Sequence, residues 1–259
     1  MNLFELPQTN REEMLDLHHG SLHEVRRSLH DIQRINTYIG GAKIICDLTI
    51  ATLKKHDLKS ATVLDIGTGN ADIPQRLVAL AKKHGIELRV LALDISARHL
   101  QVAQEDIRAE NKAHVAPVQA DAFHLPFDDC SVDLVISTLF LHHFREPQIH
   151  QLLCEFGRVS RRGFVMNDLV RHKIPLWFFR LLRPVFARSY LTRHDGEASI
   201  RRAYTLVEMQ RMMKNSPLGV EVRAHFPFRI SLSYHKPPCR KTNCRQAAHR
   251  QATHRQTQI

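Results

Sequence analysis

The sequence predicts an α/β protein built on a mostly parallel sheet, and three observations lead to this fold class. Short apolar runs that suit buried parallel strands alternate with helical patterns along the chain. The first run, Val63 to Ile66, is broken by Gly67 and Gly69, and a helical pattern follows at once. Four successive runs end in a polar residue, namely Asp65, Asp94, Asp121 and Thr138. Such endings meet at one edge of a parallel sheet, which predicts a ligand crevice there.

Length and composition are those of a soluble globular protein. The 259 residues suit one large domain with an appendage, and 43% of them are hydrophobic and 24% charged. No apolar run approaches the ~20 residues that a membrane span needs. The N-terminus has no basic region followed by an apolar core, so no signal peptide is expected. Five scattered cysteines are typical of reduced thiols, and we expect a cytoplasmic protein.

The net charge of +11 is concentrated in the C-terminal stretch. Residues 235–259 contain six Lys or Arg and no acid, and removing these six from +11 leaves +5 for the rest. This stretch has no periodic apolar pattern and is rich in Gln, His and Arg. We therefore predict a basic, disordered tail over 235–259, with diffuse charge elsewhere.

Residues 1–57 predict an N-terminal helical cap, because apolar residues recur there at three- and four-residue spacings. Two interpretations stay open at this point. The helices cover one edge of the sheet, or the turn from Asn36 to Lys43 folds over the ligand site with Lys43 facing an anion. His18, His19 and His23 have no carboxylate or cysteine that completes a metal set, and no metal site is predicted anywhere in the chain.

The second strand, Glu87 to Ile95, ends in an acidic residue at an informative distance from the glycine turn. An acid at this position binds ribose hydroxyls in related α/β folds. The alternative is that Asp94 caps the helix that begins near Ser96. The dinucleotide fingerprint fits worse, because its third glycine would fall at Asp72.

Several motifs together resemble a known family. The residues Asp65-Ile-Gly67-Thr-Gly69, Asp94, Asp121-Ala122 and the run from Asp133 to Thr138 occur in the order and spacing of class I S-adenosylmethionine-dependent methyltransferases. The resemblance covers roughly residues 36–144, and Ala71 stands where the family often has a third glycine. It implies a Rossmann-like fold, with a central seven-stranded, mostly parallel sheet, a C-terminal antiparallel hairpin and helices on both faces.

The resemblance also implies S-adenosylmethionine as cofactor and a role for each matching residue. Asp65 and the backbone of the Gly67-Thr68-Gly69 turn would contact the amino acid part of the cofactor. Asp94 would hold the ribose hydroxyls, and Ile95 would pack on the adenine. Asp121 and the N–H of Ala122 would bind the adenine edge, and Thr138 would line the path to the transferred methyl.

The methyltransferase domain is expected over residues 58–234, with an insertion over 170–204 on the acceptor side. Residues 174–186 are unusually rich in large apolar side chains, which favours an acceptor lid, a membrane-surface helix or plain packing. Residues 193–204 look like a polar loop. A helix over 206–213, with a capping box between Thr205 and Glu208, and strands over 220–226 and 228–234 complete the domain.

His143 is the predicted general base, because imidazole titrates near neutral pH and this residue follows the fourth strand. Weaker candidates are His142, Asp168, Arg171 and His172. A histidine at position 143 also suits simple packing against the cofactor.

The predicted reaction is O- or C-methylation of a small, hydrophobic acceptor. The chain lacks the Asn/Asp-Pro-Pro-Tyr type of motif that the family uses on base amines, so nucleic acid is a disfavoured partner. Peripheral membrane contact through residues 174–186 stays open. The alternatives are an RNA methyltransferase that uses the basic tail and a non-catalytic, cofactor-binding regulatory protein.

Overall fold

The structure, a computed structural model, describes residues 6–17 and 19–237, with the backbone alone at Val185. Its strands are β1 Ser60–Ile66, β2 Glu87–Asp94, β3 Val115–Gln119, β4 Leu134–Thr138, β5 Gly163–Leu169, β6 Glu221–His225 and β7 Arg229–His235. Its helices are α1 Leu22–Tyr38, α2 Gly41–Lys55, α3 Asp72–Lys83, α4 Ala97–Asp106, α5 Glu146–Val159, α6 Lys173–Phe186, α7 Tyr190–Arg202 and α8 Leu206–Lys214.

The strands form one seven-stranded sheet in the order β3-β2-β1-β4-β5-β7-β6. The first five of these are mutually parallel, whereas β7 pairs antiparallel with both β5 and β6. The order reverses at β1, so the connections leaving β1 and β4 diverge and open a crevice at the carboxyl edge. The predicted fold class is confirmed.

Helices cover both faces of the sheet because successive side chains of each strand point to opposite sides. Val63 belongs to the apolar cluster that includes α2 and α3, whereas Leu64 belongs to the cluster that includes α5 and α8. Each fully buried Leu, Ile or Phe in these layers stabilises the fold by about 1.5–3 kcal/mol. Two continuous cores therefore fix the sheet and hold its carboxyl edge in place.

Among the described residues of the N-terminal segment, helix begins at Leu22. Residues 6–17 and 19–20 lie outside helices and strands, and α1 begins at the capping box formed by Ser21 and Glu24. Gly40 separates α1 from α2 with a φ of 76°. The hypothesis that Lys43 faces an anion is wrong, because this exposed side chain pairs with Asp47 one turn further along α2.

Residues 193–204 are a second correction, since most of them lie in α7 rather than in a loop. The segment is polar and contains Gly196, both of which obscured the helical pattern. A Cβ at Gly196 would lie 2.3 Å from the ring of Phe179. The glycine therefore allows α6 to approach α7 closely, a tertiary reason that sequence periodicity does not express.

The C-terminal elements follow the prediction closely. Thr205 caps α8 and forms the expected capping box with Glu208. Strand β7 includes His235, the first residue of the predicted tail, and Lys236 donates from its backbone to Arg162. Residues 238–259, the rest of the predicted tail, lie outside the described residues.

Two further expectations meet the structure here. Among the described cysteines, Cys46 and Cys154 are free thiols, whereas Cys130 is disulfide-bonded, which corrects the expectation of reduced thiols throughout. Within the described ranges, every helix is too short or too polar to cross a bilayer.

Candidate functional site

The glycine turn after β1 is tied to the end of β2. The N–H groups of Gly67 and Thr68 donate to the carbonyl of Leu93 at 2.9 and 3.0 Å. Gly67 has a φ of 70°, and a Cβ there would lie 2.7 Å from the ring of Phe140. Backbone conformation and close ring contact both require glycine at this position.

Asp65 lies fully inside the protein at the base of this turn. Its Oδ2 accepts a hydrogen bond from the Thr68 hydroxyl at 2.7 Å. Burial raises the pKa of Asp65 to about 7, the Thr68 hydrogen bond opposes the shift, and the charges of Asp94 and Asp72 add to it. A cation placed against this carboxyl group would restore the ionised form, which suits an ammonium-bearing ligand.

Asp94 reaches across to the glycine turn. Its Oδ2 accepts from the Gly69 N–H at 3.0 Å and its Oδ1 from the Ser96 N–H at 2.9 Å. The cap of α4 is Ser96, whose hydroxyl accepts from the His99 N–H. The next residue, Ile95, is 65% exposed, an unusual position for a large aliphatic side chain. Asp94 is thus hydrogen-bonded to the glycine turn, and the residue that caps α4 is Ser96 instead.

The remaining predicted cofactor residues lie along the same edge. Asp121 is partly exposed, accepts from the Phe123 N–H at 2.9 Å and pairs with His124 at 3.0 Å. Burial would raise the pKa of Asp121, but these two hydrogen bonds and the His124 charge lower it. Ala122 is buried. The hydroxyl of Thr138 is buried and has no hydrogen-bond partner among the described residues.

Ala71, the departure from the family pattern, lies in the core rather than in the crevice. It has a φ of 58° and packs fully buried in the cluster of α2 and α3. Its methyl group therefore leaves the edge of the sheet open.

An aromatic group that sequence reasoning missed adjoins these residues. The rings of Phe140 and Phe144 lie 4.9 Å apart, and those of Phe123 and Phe144 lie 5.3 Å apart in an edge-on arrangement. Phe140 also packs on Gly67. The loops after β3 and β4 therefore meet through an apolar wall. Its only sequence signal was the run Leu-Phe-Leu-His-His-Phe after β4.

Helix α1 packs directly on the glycine turn. A Cδ of Leu29 lies 3.4 Å from the position that a Cβ at Gly69 would take. Gln33 donates to Asp72 at 2.8 Å and accepts from Asn70 at 2.8 Å. Helix α1 of the N-terminal cap thus contacts the glycine turn and the start of α3.

His142 is held in a buried network of charges. Its Nδ1 lies 2.7 Å from Oδ1 of Asp168, and its Nε2 lies 3.4 Å from Oε1 of Glu13. Burial alone would lower the pKa of His142, but the two carboxylates outweigh it and raise the pKa to about 10. Burial would likewise raise the pKa of Glu13, which its histidine and serine partners hold at about 2. His142 is therefore an imidazolium with a structural task.

His143, the predicted base, points toward a different carboxylate. Its Nδ1 lies 2.7 Å from Oδ2 of Asp16, and the ring is partly buried. In the neutral ring this hydrogen bond places the proton on Nδ1 and leaves Nε2 as an acceptor. Glu13, His142 and His143 each bring one possible ligand atom within 4.8 Å of the others, but the His142 imidazolium has no free lone pair to bind a metal ion. The sequence did not predict the contacts of Glu13 and Asp16 with these histidines, because the two acids lie far from them in the chain.

The weaker catalytic candidates have structural partners. Asp168 binds His142, and Arg171 donates to the carbonyls of Leu6 and Ala203 and to Glu208. His172 accepts from the Ile174 N–H at the start of α6. These residues hold the N-terminal segment and α6 against the sheet.

Helix α6 has two apolar faces. Leu176 and Phe179 pack inward with Leu6 and Ile200. The opposite face carries exposed Trp177, Phe178, Leu181 and Leu182, with Trp177 60% exposed. We call these four residues the outer face of α6.

Fold and site together define a class of protein. The sheet order, the glycine turn and the acidic residues at the carboxyl ends of β1 and β2 are those of a class I methyltransferase fold. Residues 63–163 match the family model described as a methyltransferase domain. Residues 63–163 therefore form a methyltransferase domain with the class I fold, as the motifs predicted.

Curated relatives share this domain. The chain is 29% identical over 152 residues to a demethylmenaquinone methyltransferase of Shouchella clausii, covering 54% of this chain and 63% of the relative. It is 32% identical over 149 residues to that of Lactiplantibacillus plantarum, covering 54% and 61%. For Anoxybacillus flavithermus the identity is 27% over 205 residues, covering 73% and 84%. The first two alignments thus span less than two thirds of the relatives.

Solved structures show the same fold at low sequence identity. A methyltransferase from Aquifex aeolicus superposes with a TM-score of 0.51 and 18% identity, covering 71% of this chain and 87% of that one. Magnesium protoporphyrin IX methyltransferase from Synechocystis gives 0.52 and 14%, covering 77% and 84%. Human N-acetylserotonin methyltransferase gives 0.56 and 13%, covering 83% and 56%.

Proposed function

We propose that this protein is an enzyme that transfers a methyl group from S-adenosylmethionine to a small, hydrophobic acceptor at oxygen or carbon. The observation that carries the proposal is the convergence of Asp65, the glycine turn and Asp94, joined by the hydrogen bond from Gly69 to Asp94. The residues fit the cofactor chemically. Asp65 would hold the ammonium group, Asp94 the ribose hydroxyls and exposed Ile95 the adenine ring.

When bound, the cofactor supplies an electrophilic methyl group on a sulfonium. The task of the chain is then to hold the acceptor atom in line, which alone lowers the barrier by several kcal/mol. The wall of Phe123, Phe140 and Phe144 would exclude water from that path. His143, oriented by Asp16, would accept the proton of an acceptor hydroxyl at Nε2.

The acceptor class rests on two supports. Helix α6, which follows β5, is apolar on both faces. The curated relatives are named as demethylmenaquinone methyltransferases. We therefore place quinone-like, phenolic or polyketide-like compounds first among acceptors, with α6 as their lid and its outer face as a site of peripheral membrane contact.

Calorimetric titration with S-adenosylmethionine and S-adenosylhomocysteine tests the cofactor site. We expect micromolar binding to the wild type, a large loss in Asp94→Ala and no binding of NAD. Transfer of a labelled methyl group to a panel of quinols and phenols then tests the acceptor class. Binding of NAD alone would contradict the proposal.

Two alternatives have distinct outcomes. An RNA methyltransferase would bind RNA with a steep salt dependence that is lost on deleting residues 238–259. A regulatory protein would bind the cofactor with the expected affinity and show no turnover with any acceptor.

A further inference from the structure

The N-terminus of α2 and the side chain of Arg229 meet at the carboxyl edge of the sheet. Asn167, near the end of β5, donates to the carbonyl of Gly41, the first residue of α2, at 3.0 Å. Gly40 occupies the N-cap position and offers no side chain to the helix. A Cβ at Gly41 would lie 2.8 Å from Cζ of Arg229. The guanidinium therefore lies against the uncapped end of α2.

Arg229 is one of the most buried side chains of the protein, with 1% of its surface exposed. Its Nη2 donates to Oδ1 of Asn36 at 2.9 Å. Its Nε and Nη1 have no hydrogen-bond partner within residues 6–17 and 19–237. Burial lowers the pKa of Arg229 to about 10, with the Asp168 charge opposing the shift, so the group is still a cation at neutral pH. A buried cation with two idle donors is costly unless an anion pairs with it.

The electrostatics of the helix end lead to the same requirement. The first turn of an α-helix carries a partial positive charge from its unpaired N–H groups. A guanidinium beside it repels this charge, so the two groups do not stabilise each other. Both are complemented by one negative group placed between them.

A third element lies on β4, the neighbour of β5. Thr138 at the end of β4 is in register with Asn167 on β5. Its buried hydroxyl lacks a described partner, as does Oδ1 of Asn167. Strand β5 lies between Thr138 on β4 and Arg229 on β7, and the hydroxyl offers a further donor to an oxyanion that reaches it. The position belongs to the edge that holds the predicted methyl path.

We propose that the N-terminus of α2, Arg229 and Thr138 form a binding site for a carboxylate carried by a ligand of the methyl-transfer site. The planar guanidinium matches the two oxygens of a carboxylate. Such a group has two sources, the methionine part of the cofactor or an acidic acceptor. The inference rests on the proposed function only for the identity of the ligand, since the anion site itself is defined by these residues.

Binding to the full chain and to Arg229→Met separates the sources. The probes are S-adenosylhomocysteine, decarboxylated S-adenosylmethionine and salicylate, a phenolic carboxylate. If the cofactor carboxylate occupies the site, the variant weakens S-adenosylhomocysteine roughly tenfold to a hundredfold and leaves the decarboxylated compound unchanged. If the acceptor occupies it, the variant loses salicylate and keeps S-adenosylhomocysteine. Arg229→Lys should retain part of the affinity in either case.

Thermal unfolding of the ligand-free proteins shows whether a loss of binding comes from a folding defect. Arg229→Met should be as stable as the wild type or more stable, because it replaces an unpaired buried charge with an apolar group. Equal binding of all three probes by both proteins would overturn the inference, as would a wild type that binds neither carboxylate. Binding of salicylate alone would support the anion site while removing the cofactor from the proposed function.

Discussion

Nδ1 of His142 lies 2.7 Å from Oδ1 of Asp168, and both side chains are almost completely buried. Glu13 lies on the other side of the same imidazole, at 3.4 Å from Nε2. A cation between two carboxylates thus joins the irregular N-terminal segment to the loop after β4. This network positions the neighbouring His143 and holds the segment that supplies Asp16.

Removing the centre of this network should destabilise the protein strongly. His142→Ala leaves two buried carboxylates without a counter-charge, and we expect a loss of about 3–5 kcal/mol in the free energy of unfolding by urea. His124→Ala is the matched control, because its exposed pair with Asp121 contributes less than about 1 kcal/mol. Similar losses in the two variants would refute the assignment.

The same network predicts how stability depends on pH. The pKa of His142 rises from 6.5 to about 10 on folding, so its contribution is complete below pH 6.5 and disappears as the pH approaches 10. The pKa of Glu13 falls from 4.5 to about 2, so its contribution is lost only below pH 4.5. Urea unfolding between pH 6.5 and 10 should show a decline that His142→Gln flattens. An unchanged slope in the variant would contradict this origin.

Asp65 predicts proton release on cofactor binding. Its pKa of about 7 in the ligand-free protein means that the group is largely protonated at pH 6. An ammonium partner needs the carboxylate, so affinity for S-adenosylhomocysteine should rise by up to about tenfold per pH unit between pH 5.5 and 7. Calorimetry in buffers of different ionisation enthalpy measures the released proton directly. Asp65→Asn should bind weakly and without this dependence.

His143 should affect the chemical step alone. With a phenolic acceptor, we expect His143→Ala to lower kcat by roughly 10²–10⁴ while the Kd for S-adenosylhomocysteine is unchanged. Asp16→Asn should lower kcat less, because the imidazole remains but loses its orientation. Loss of cofactor affinity in His143→Ala would instead assign the residue to packing.

The outer face of α6 should bind anionic membranes. Four exposed apolar side chains share this face, and the chain from Lys173 to His194 contains five Lys or Arg and no acid. Trp177 is the sole tryptophan, so its fluorescence reports this surface directly. We expect a blue shift with phosphatidylglycerol vesicles, a smaller one in high salt and none with phosphatidylcholine alone.

The controls for this experiment keep the reporter in place. Replacing Leu181 and Leu182 with Ser should reduce vesicle binding, whereas Val207→Ser removes a more exposed apolar residue from α8 and should have no effect. An absent blue shift would sink the prediction. So would a change from dimer to monomer by light scattering in the α6 variant, since a second copy would then cover the face.

The sheet and the glycine turn were predictable because their signals are local. A continuous apolar run marks a strand buried on both faces, and Gly67 marks a backbone that few other residues adopt. The position of Asp94 at the end of β2 was predicted from its spacing to the glycine turn. Thr205 and Glu208 predicted the start of α8 for the same reason, since a capping box spans only four residues.

Other features depend on partners that are distant in the chain. His143 and Asp16 are separated by 127 positions, and α7 became visible only through the packing of Gly196 on Phe179. The alternation of β7 predicted a strand, but nothing in it indicated that Arg229 would be buried against the end of α2. Sequence periodicity predicts the helices and strands, whereas contacts between charged residues on different elements form only when the chain is folded.

Helix α1 lies between two glycines with left-handed backbones, Gly20 at a φ of 83° and Gly40 at 76°. Such residues absorb rotations without strain, so they can act as hinges at both ends of a rigid helix. Because Leu29 and Gln33 contact the glycine turn and its neighbour Asn70, we expect the exit of a spent ligand to depend on movement of this helix. We expect the residence time of that ligand, and with it the pace of successive turnovers, to be set by a surface hinge. A substitution that restricts the backbone at Gly40 should then lower the turnover rate, although Gly40 contacts no reacting atom.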